Sequence, residues 1–404
     1  MSKEKRKVPK LRFPGFTEDW EQRKLGDFTN QINTFVNPED AKLPLWSLTA
    51  EAGLIEKSDR YERDFLVKKK DQFKRIETNT LVYNPMNITI GSIDIYTGLY
   101  PIAVSGYYVS IVYDKNIDTD FLKEALLLPS SLKMYKNYAT GSLIERQRVQ
   151  YPTFSKLQLL FPNLDEQKAI GQLFKSLNLN ITLHQRKLEH LNLKKKALLQ
   201  KLFPKNGERY PELRFPGFTD AWEQRKLGDL YKRVNERNDG TLGRDKWISV
   251  AKMYFQDPDK VQSNNLDTRT YVMKKGDIAF EGHPNNEFKF GRFVLNDIGT
   301  GIISELFPIY RPITEYDLDF WKYAIQLERV MAPIFAKSIT SSGNSSNKLD
   351  HNHFLNQELL VPNIEEQKKI GTLLSILSKN ITLHQRKLEH LQLQKKALLQ
   401  QMFV

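Results

Sequence analysis

The 404-residue chain contains no cysteine. Disulfide scaffolds, cysteine-ligated zinc sites, iron–sulfur clusters and thiol catalysis are therefore excluded. No apolar run approaches the roughly 20 residues that a bilayer-spanning helix needs. The first ten residues, MSKEKRKVPK, lack the apolar region of a secretory signal. Because the absence of cysteine also fits a reducing compartment, we expect a cytoplasmic protein.

Motifs for nucleotide and methyl-donor chemistry are missing as well. No Gly-Lys pair occurs, which excludes a P-loop, and no Gly-x-Gly-x-x-Gly fingerprint is present. Tyr83-Asn84-Pro85-Met86 supplies only half of the Asn-Pro-Pro-aromatic tetrad with which adenine methyltransferases hold a flipped base. Asp259 with Glu287 and Lys289 matches a loose nuclease pattern, but the first half of the chain has no counterpart. These observations favour a binding protein over a catalyst.

Positive charge is in excess. The chain has 61 Lys and Arg residues against 48 Asp and Glu residues, a formal net charge of +13. Such an excess favours a polyanionic partner, with nucleic acid ahead of a membrane surface. A hydrophobic content of 40% with 11% aromatic residues is enough to build substantial cores.

The chain is also internally repeated. A 17-residue segment, here called the N-motif, occupies 11–27 and returns at 213–229 with 15 of 17 positions identical. A longer segment at 161–203 returns at 361–403 with 29 of 43 positions identical, and it contains ITLHQRKLEHL unchanged at 181–191 and 381–391. Between these constant segments lie 28–160 and 230–360, which are similar in length but share little identity. Drift would not spare one part of each half so selectively, so we infer a shared framework that carries two different surfaces.

This pattern predicts a modular organisation. The stretch from Pro204 to Pro211 is polar and bracketed by prolines, as linkers are. We therefore expect the following segments: a first constant segment and variable domain at 1–160, a central constant helix at 161–203, a linker at 204–212, a second constant segment and variable domain at 213–360, and a C-terminal constant helix at 361–404.

The variable segments share a skeleton of secondary structure. Residues 104–113 and 302–310 are rich in β-branched and aromatic residues and are each predicted as a strand. Residues 121–128 and 320–335 are predicted as helices, the second bent or ended near Pro333. A Gly/Ser loop follows a helix-like stretch in each half, at 138–142 and 340–344.

The constant segments predict long helices. Apolar residues recur at spacings of three and four from Ile170 to Leu202 and again from Ile370 to Met402, a heptad seam about 50 Å long. One such helix alone would expose its seam, so the two should pack on each other. The predicted fold class is α/β (α+β): two similar α/β domains separated by two long antiparallel coiled-coil helices, with a pseudo-two-fold internal repeat.

The helices contain histidines that could suggest metal ligands. His184, Glu189 and His190 recur at 384, 389 and 390. His184 lies on the seam, where a polar residue more often fixes register, and His190 has no second ligand three or four residues later. We therefore expect no metal site.

The alternation of constant and divergent segments resembles the specificity subunit of type I restriction–modification systems. The resemblance covers essentially the whole chain. Its most specific residues are Phe-Pro-Gly-Phe and Trp-Glu-Gln-Arg-Lys-Leu-Gly-Asp within 13–27 and 215–229, followed by the Pro-Asn openings of the constant helices at 162–170 and 362–370. It implies a non-catalytic chain with no cofactor of its own. The two variable segments would be target recognition domains, each reading one half of a split site in double-stranded DNA.

The resemblance also implies partners. The constant helices would set the distance between the half-sites and bind two methylation subunits, which use S-adenosylmethionine. Restriction subunits, which use ATP and magnesium, would complete the complex. Because the two recognition domains diverge, we expect an asymmetric site. Helices about 50 Å long predict half-site centres roughly 10 to 15 base pairs apart.

Residue type and position identify candidate DNA contacts. Polar side chains on loops that follow strands can reach base edges, with Arg or Lys facing guanine and Asn or Gln facing adenine. Glu281 would repel phosphates, so we expect it either to accept from cytosine N4 or to pack within its own domain. The candidates are Tyr83, Asn84, Asn87, Ser142, Arg146, Gln147 and Arg148 in the first domain, and Glu281, His283, Asn285, Asn286, Ser345, Asn347 and Lys348 in the second.

A function of another class stays open at this point. A protein adaptor or decoy would bind methylation subunits through its helices without reading DNA. The net positive charge and the basic loops favour DNA reading.

Overall fold

A computed structural model describes residues 7–57, 73–141, 147–205, 207–261, 269–342 and 346–404. The chain forms two compact units. Unit 1 comprises Met1–Gln185 with Lys387–Val404, and unit 2 comprises Arg186–Arg386. Both boundaries fall inside a long helix, so each unit contains part of both constant helices. Within the described ranges, none of the helices combines the length and apolarity that crossing a membrane requires.

Unit 1 is built from short strands and three short helices packed against the constant helices. Its four-stranded sheet has the order β2-β10-β7-β8, and smaller sheets pair β1 with β11, β4 with β5, and β3-β6-β9. The strands are β1 Glu21–Lys24, β2 Thr29–Ile32, β3 Phe35–Val36, β4 Trp46–Thr49, β5 Gly53–Glu56, β6 Phe73–Ile76, β7 Thr80–Tyr83, β8 Ile93–Tyr96, β9 Ile102–Ser105, β10 Val109–Tyr113 and β11 Gln158–Phe161. The helices are α1 Thr119–Leu127, α2 Pro129–Tyr138, α3 Tyr151–Phe154 and α4 Leu164–Lys201, which continues into unit 2.

Unit 2 repeats this plan. Its four-stranded sheet has the order β13-β20-β17-β18, and pairs form between β12 and β23, β14 and β15, β16 and β19, and β21 and β22. The strands are β12 Glu223–Lys226, β13 Tyr231–Val234, β14 Ile248–Ser249, β15 Tyr254–Phe255, β16 Thr270–Met273, β17 Ile278–Glu281, β18 Arg292–Leu295, β19 Gly301–Ser304, β20 Ile309–Pro312, β21 Ile339–Ser342, β22 Asn347–Leu349 and β23 Glu358–Val361. The helices are α5 Leu227–Leu230, α6 Leu318–Ala324, α7 Glu328–Ser338, α8 His351–Leu355 and α9 Ile364–Met402, which continues into unit 1.

The four-stranded sheets of the two variable segments therefore have the same topology despite the low identity of these segments. The central strand of each four-stranded sheet, β7 or β17, pairs antiparallel with both of its neighbours. Its apolar side chains are buried between the helices and the smaller sheets. The predicted fold class, two similar mixed α and β halves with two long helices, is confirmed.

Both long helices begin at the predicted Pro-Asn motif. Asn163 Oδ1 accepts a hydrogen bond from Glu166 N at 3.0 Å, and Asn363 Oδ1 accepts one from Glu366 N at 2.9 Å. Asparagine is a favoured N-cap because its side chain satisfies a free amide of the first turn. Acidic residues in that turn also favour the positive end of the helix dipole.

The two helices run antiparallel within unit 1. The ring of Phe174 in α4 lies 5.9 Å from that of Phe403, just after the end of α9. Farther along α4, Asn178 binds Glu124, which also binds Lys395, an earlier residue of α9. Residue numbers thus increase along α4 in the direction in which they decrease along α9, so the two helices are antiparallel.

The repeated motifs bind one another. Arg12 of the first N-motif donates two hydrogen bonds to the Glu166 carboxylate, at 2.6 and 2.7 Å, and Arg214 does the same to Glu366 at 2.8 Å each. A tryptophan of each N-motif packs edge-on against the phenylalanine that follows a helix: Trp20 against Phe403, and Trp222 against Phe203. The N-motif is thus one partner of the constant helices, which explains why the two are repeated together.

Two predictions about the elements are wrong. Residues 104–113 and 302–310 are not single strands. Each range contains a tight turn between two strands of different sheets, β9 and β10 or β19 and β20, and the turn is closed by a hydrogen bond from Tyr108 N to Ser105 O or from Phe307 N to Ser304 O. Residues 320–335 are not one helix bent at Pro333. The helix ends at Ala324, a new one begins at Glu328, and Pro333 lies inside it.

Candidate nucleic-acid interface

Three chain segments meet at one edge of unit 1. The β7–β8 tip (residues 84–92) and the β9–β10 turn (106–108) are neighbours because Tyr83 pairs with Val109. The segment after α2 joins them, since Val149 N donates to Pro85 O at 3.0 Å and the Arg148 guanidinium lies 5.7 Å from the centre of the Tyr107 ring. We call residues 84–92, 106–108, 141, 147 and 148 face 1.

The equivalent segments meet in unit 2. Phe280 N donates to Pro308 O at 3.0 Å, which brings the β17–β18 tip (282–291) next to the β19–β20 turn (305–308). Asn347 N donates to Gly282 O at 2.8 Å, which adds the start of β22. We call residues 282–291, 305–308 and 346–348 face 2.

A small residue is required where these segments touch. A Cβ added to Gly282 would lie 2.2 Å from Asn347 O, and one added to Gly291 would lie 2.4 Å from Glu281 O. Gly291 also has a φ of +90°, which side chains rarely adopt. The shape of the β17–β18 tip therefore depends on both glycines.

Each face also presents one residue that is not among the candidates from the sequence. Tyr107 is 40% exposed and Leu306 is 82% exposed, at the same position of the same turn. In both turns a serine Oγ accepts from the amide of this residue: Ser105 from Tyr107 N at 3.4 Å, and Ser304 from Leu306 N at 3.3 Å. A signal was present, because Ser-Gly-Tyr-Tyr at 105–108 and Ser-Glu-Leu-Phe at 304–307 both place an apolar pair two residues after a serine.

Comparisons with known proteins agree on one family. The chain is 23% identical to the specificity subunit of the type I restriction enzyme MjaVIII from Methanocaldococcus jannaschii, over 96% of this chain and 92% of that protein. Its fold matches the crystal structure of the S subunit of a type I restriction–modification system from M. genitalium, with a TM-score of 0.58 at 12% identity over 98% of this chain and 99% of that one. No family profile matches the chain.

The chain is thus similar over nearly its whole length to a specificity subunit of a type I restriction enzyme, and it has the fold of such subunits.

Faces 1 and 2 are surfaces formed by the loops and turns between the strands and helices of each unit. Across the described ranges, no group of three or more His, Asp or Glu side chains could hold a metal ion, and this includes the surroundings of Asp259 and Glu287.

Two of the candidate residues in unit 1 support face 1 through contacts within the domain. Tyr83 is fully buried and stacks on Phe154 with ring centres 4.9 Å apart, and burial raises the pKa of its hydroxyl. Asn84 Oδ1 accepts from Met86 N at 3.0 Å and so holds the tip. Asn87 and Arg148 are exposed and Gln147 is half-buried, which leaves these three to face outward.

Face 2 divides in the same way. Glu281 binds Arg292 at 2.8 Å, which is the pairing within its own domain that its charge requires. Asn285 Oδ1 accepts from the amides of Glu287 and Phe288, both at 2.9 Å, and Asn347 is largely buried. Asn285 is nevertheless exposed, as are the candidates His283, Asn286 and Lys348. The remaining candidates, Ser142, Arg146 and Ser345, lie outside the described residues.

Proposed function

We propose that this chain is the specificity subunit of a type I restriction–modification complex and that it reads an asymmetric, bipartite site in double-stranded DNA, one half-site with each face. The observation that carries the proposal is the repetition of one three-segment surface on one framework with different exposed side chains. Face 1 presents Asn87, Tyr107 and Arg148, whereas face 2 presents His283, Asn286, Leu306 and Lys348. Amide and cationic groups suit base edges, and apolar groups suit the thymine methyl. Two different surfaces require two different half-sites.

The proposed domain organisation follows from this assignment. The recognition domains are residues 28–160 and 230–360, the constant helices are 161–203 and 361–403, and 204–212 is a linker. The excess of 13 positive charges supplies the attraction to phosphate that is independent of sequence.

The constant helices are the proposed binding sites for two methylation subunits. Each unit exposes an equivalent pair of leucines on α4 and α9: Leu183 (52% exposed) and Leu393 (67%) in unit 1, and Leu383 (64%) and Leu193 (61%) in unit 2. Exposed leucines at repeated positions are typical of a surface that a partner covers. The same pair occurs twice, so we propose two copies of the same partner.

The chemistry is assigned to those partners. The methylation subunits would use S-adenosylmethionine, and restriction subunits, which use ATP and magnesium, would join the same assembly. This chain would contribute binding and positioning only.

Selection from a random duplex library tests the proposal. The subunit is mixed with its methylation subunits, the bound DNA is recovered, and its sequence is determined. We expect enrichment of one asymmetric motif with an unread spacer. Recovery of random sequence by a complex that still assembles would instead indicate a protein adaptor.

A further inference from the structure

Equivalent positions of α1 and α6 carry different side chains that both contact the constant helices. Each helix is capped by an aspartate, since Asp118 Oδ1 accepts from Phe121 N at 2.8 Å and Asp317 Oδ1 accepts from Phe320 N at 2.7 Å. Six residues after the cap, α1 has Glu124 and α6 has Tyr323. Both are largely buried, with exposures of 4% and 9%.

We call the contact between α1 or α6 and the constant helices the junction of each unit. Part of this junction is the same in both units. Gln167 Oε1 accepts from Asp118 N at 3.0 Å, and Gln367 Oε1 accepts from Asp317 N at 3.2 Å. A Cβ on Gly171 or Gly371 would lie 2.3 Å from the capping aspartate, so only glycine allows the recognition helix to approach. The same contacts therefore attach α1 to α4 and α6 to α9.

The other part of the junction differs between the two units. In unit 1 it contains a buried charge, the carboxylate of Glu124. The Glu124 carboxylate accepts from Asn178 Nδ2 at 2.6 Å and binds Lys395 Nζ at 3.0 Å. A buried carboxylate is costly unless it is paired and hydrogen-bonded. Asn178 and Lys395 therefore both stabilise the negative charge of Glu124 in α1.

In unit 2 the same place is occupied by an uncharged phenol. The Tyr323 hydroxyl donates to Leu374 O at 3.1 Å and lies 2.7 Å from Ser378 Oγ, and Lys195 Nζ lies 5.1 Å from the centre of the Tyr323 ring. Burial, followed by the nearby charge of Lys322, lowers the pKa of Lys195. Here the lysine meets a ring face instead of a carboxylate.

We propose that the pairs Glu124–Asn178 and Tyr323–Ser378 match each recognition domain to the constant helices of its own unit. The lysines are the same in both units (395 and 195), whereas the paired side chains are complementary in size. The shorter Glu meets the longer Asn, and the longer Tyr meets the shorter Ser. A tyrosine against Asn178 would overfill the junction, and a glutamate against Ser378 would leave a gap and lose a hydrogen bond. This selection of the domain by the helix is independent of DNA reading.

Exchange of the pair within unit 1 tests the proposal in the full-length chain. The variants are Glu124→Tyr, Asn178→Ser and the two combined, and the measurement is amide hydrogen exchange of peptides that cover α1. Each single substitution should speed exchange about tenfold or more, and the combination should return it to within about twofold of the original chain. Lys175→Ser is the matched control: it changes the same helix to its unit 2 residue at an exposed ion pair with Asp120, so it should have little effect.

The reciprocal variants in unit 2, Tyr323→Glu and Ser378→Asn, should show the same rescue in α6. A single variant that does not fold, with a double variant that does, would also support the proposal. Additive losses in the doubles, or doubles that do not fold, would overturn it. None of these measurements involves DNA, so failure here is distinct from failure of the proposed function.

Discussion

At the residue scale, Tyr107 and Leu306 test whether the two faces contact DNA. Each is a large apolar side chain on an outer turn, where burial against DNA would remove it from water. We predict that Tyr107→Ala weakens binding of duplexes with the first half-site by about 1–3 kcal/mol and spares the second. Because no charge is removed, the dependence of the binding constant on salt should not change. Titration of half-site variants by fluorescence anisotropy measures both quantities.

The control is Leu99→Ala. Leu99 is 89% exposed, but it follows β8 and so lies at the end of that strand away from face 1. It should bind DNA like the original chain. If Leu99→Ala and Tyr107→Ala weaken binding equally, or if Tyr107→Ala affects both half-sites, face 1 is not the reading surface.

The Arg12–Glu166 pair gives a second prediction at this scale. The Glu166 side chain is fully buried, so Arg12→Ala leaves an unpaired buried carboxylate. We predict a loss of about 3–5 kcal/mol in the free energy of unfolding of unit 1, measured by urea denaturation. Arg12→Lys should recover only part of it, because lysine cannot make the bidentate contact.

An exposed ion pair provides the comparison for Arg12. Arg75 and Glu77 are 2.6 Å apart with side chains 39% and 58% exposed, and Arg75→Ala should cost less than about 1 kcal/mol. Equal losses for the two arginines would show that burial is not the source of the effect.

The sequence indicated where the loops of each face lie but not which side chains point outward. Tyr83 was a candidate because it ends a strand before a polar tip, yet it faces the core and stacks on Phe154. One-dimensional patterns cannot assign its direction, since β7 is buried on both faces and shows no alternation. Tyr107 was overlooked for the opposite reason: an aromatic residue in an apolar run looks like part of a strand.

At the scale of the elements, the exposed leucines of the helices predict the stoichiometry of the complex. Leu183→Gln with Leu393→Gln should remove one methylation subunit and leave one, because the equivalent pair in unit 2 is intact. Native mass spectrometry measures the ratio directly. The matched double variant, Leu383→Gln with Leu193→Gln, should also leave one subunit. Retention of two subunits by either variant would show that the partners bind elsewhere.

Helix length gives a further prediction at this scale. Four residues inserted after Leu191 of α4 and after Leu391 of α9 lengthen each helix by about 6 Å. If helix length sets the spacing of the half-sites, as the sequence predicts, the preferred spacer should grow by one or two base pairs. Selection from a duplex library reads the spacer and the half-sites together. An unchanged spacer, or altered half-sites, would contradict this role of the helices.

The long helices were predictable from the sequence, whereas the β9–β10 and β19–β20 turns were not. Spacings of three and four between apolar residues persist over 33 residues of each constant segment, and such a long periodic pattern is a strong signal for a helix. The turns Gly-Tyr-Tyr and Glu-Leu-Phe-Pro, by contrast, contain apolar and aromatic residues like those of the strands that they join. The turn is fixed by a serine hydroxyl and a backbone hydrogen bond, which leave little trace in composition.

At the scale of the whole molecule, sequence repetition revealed two equivalent halves but not how the segments divide between the units. Residues 161–203 were treated as one segment, yet Phe174 belongs to the core of unit 1 and Phe203 to that of unit 2. The equivalent of Phe203 in unit 1 is Phe403, from the other copy. The repeat in the sequence cannot show whether a motif packs against the helix of its own half or against the helix of the other half, because both halves contain the same residues.

The central claim is that one chain reads two different half-sites with two faces. Its most direct test is to map methylated adenines across the genome of cells that express this subunit with its methylation subunits, and to repeat the mapping with Tyr107→Ala and with Leu306→Ala. We predict a single asymmetric motif in two parts, relaxed in one part by Tyr107→Ala and in the other part by Leu306→Ala. A palindromic motif, or a motif that neither substitution alters at one half alone, would contradict the claim.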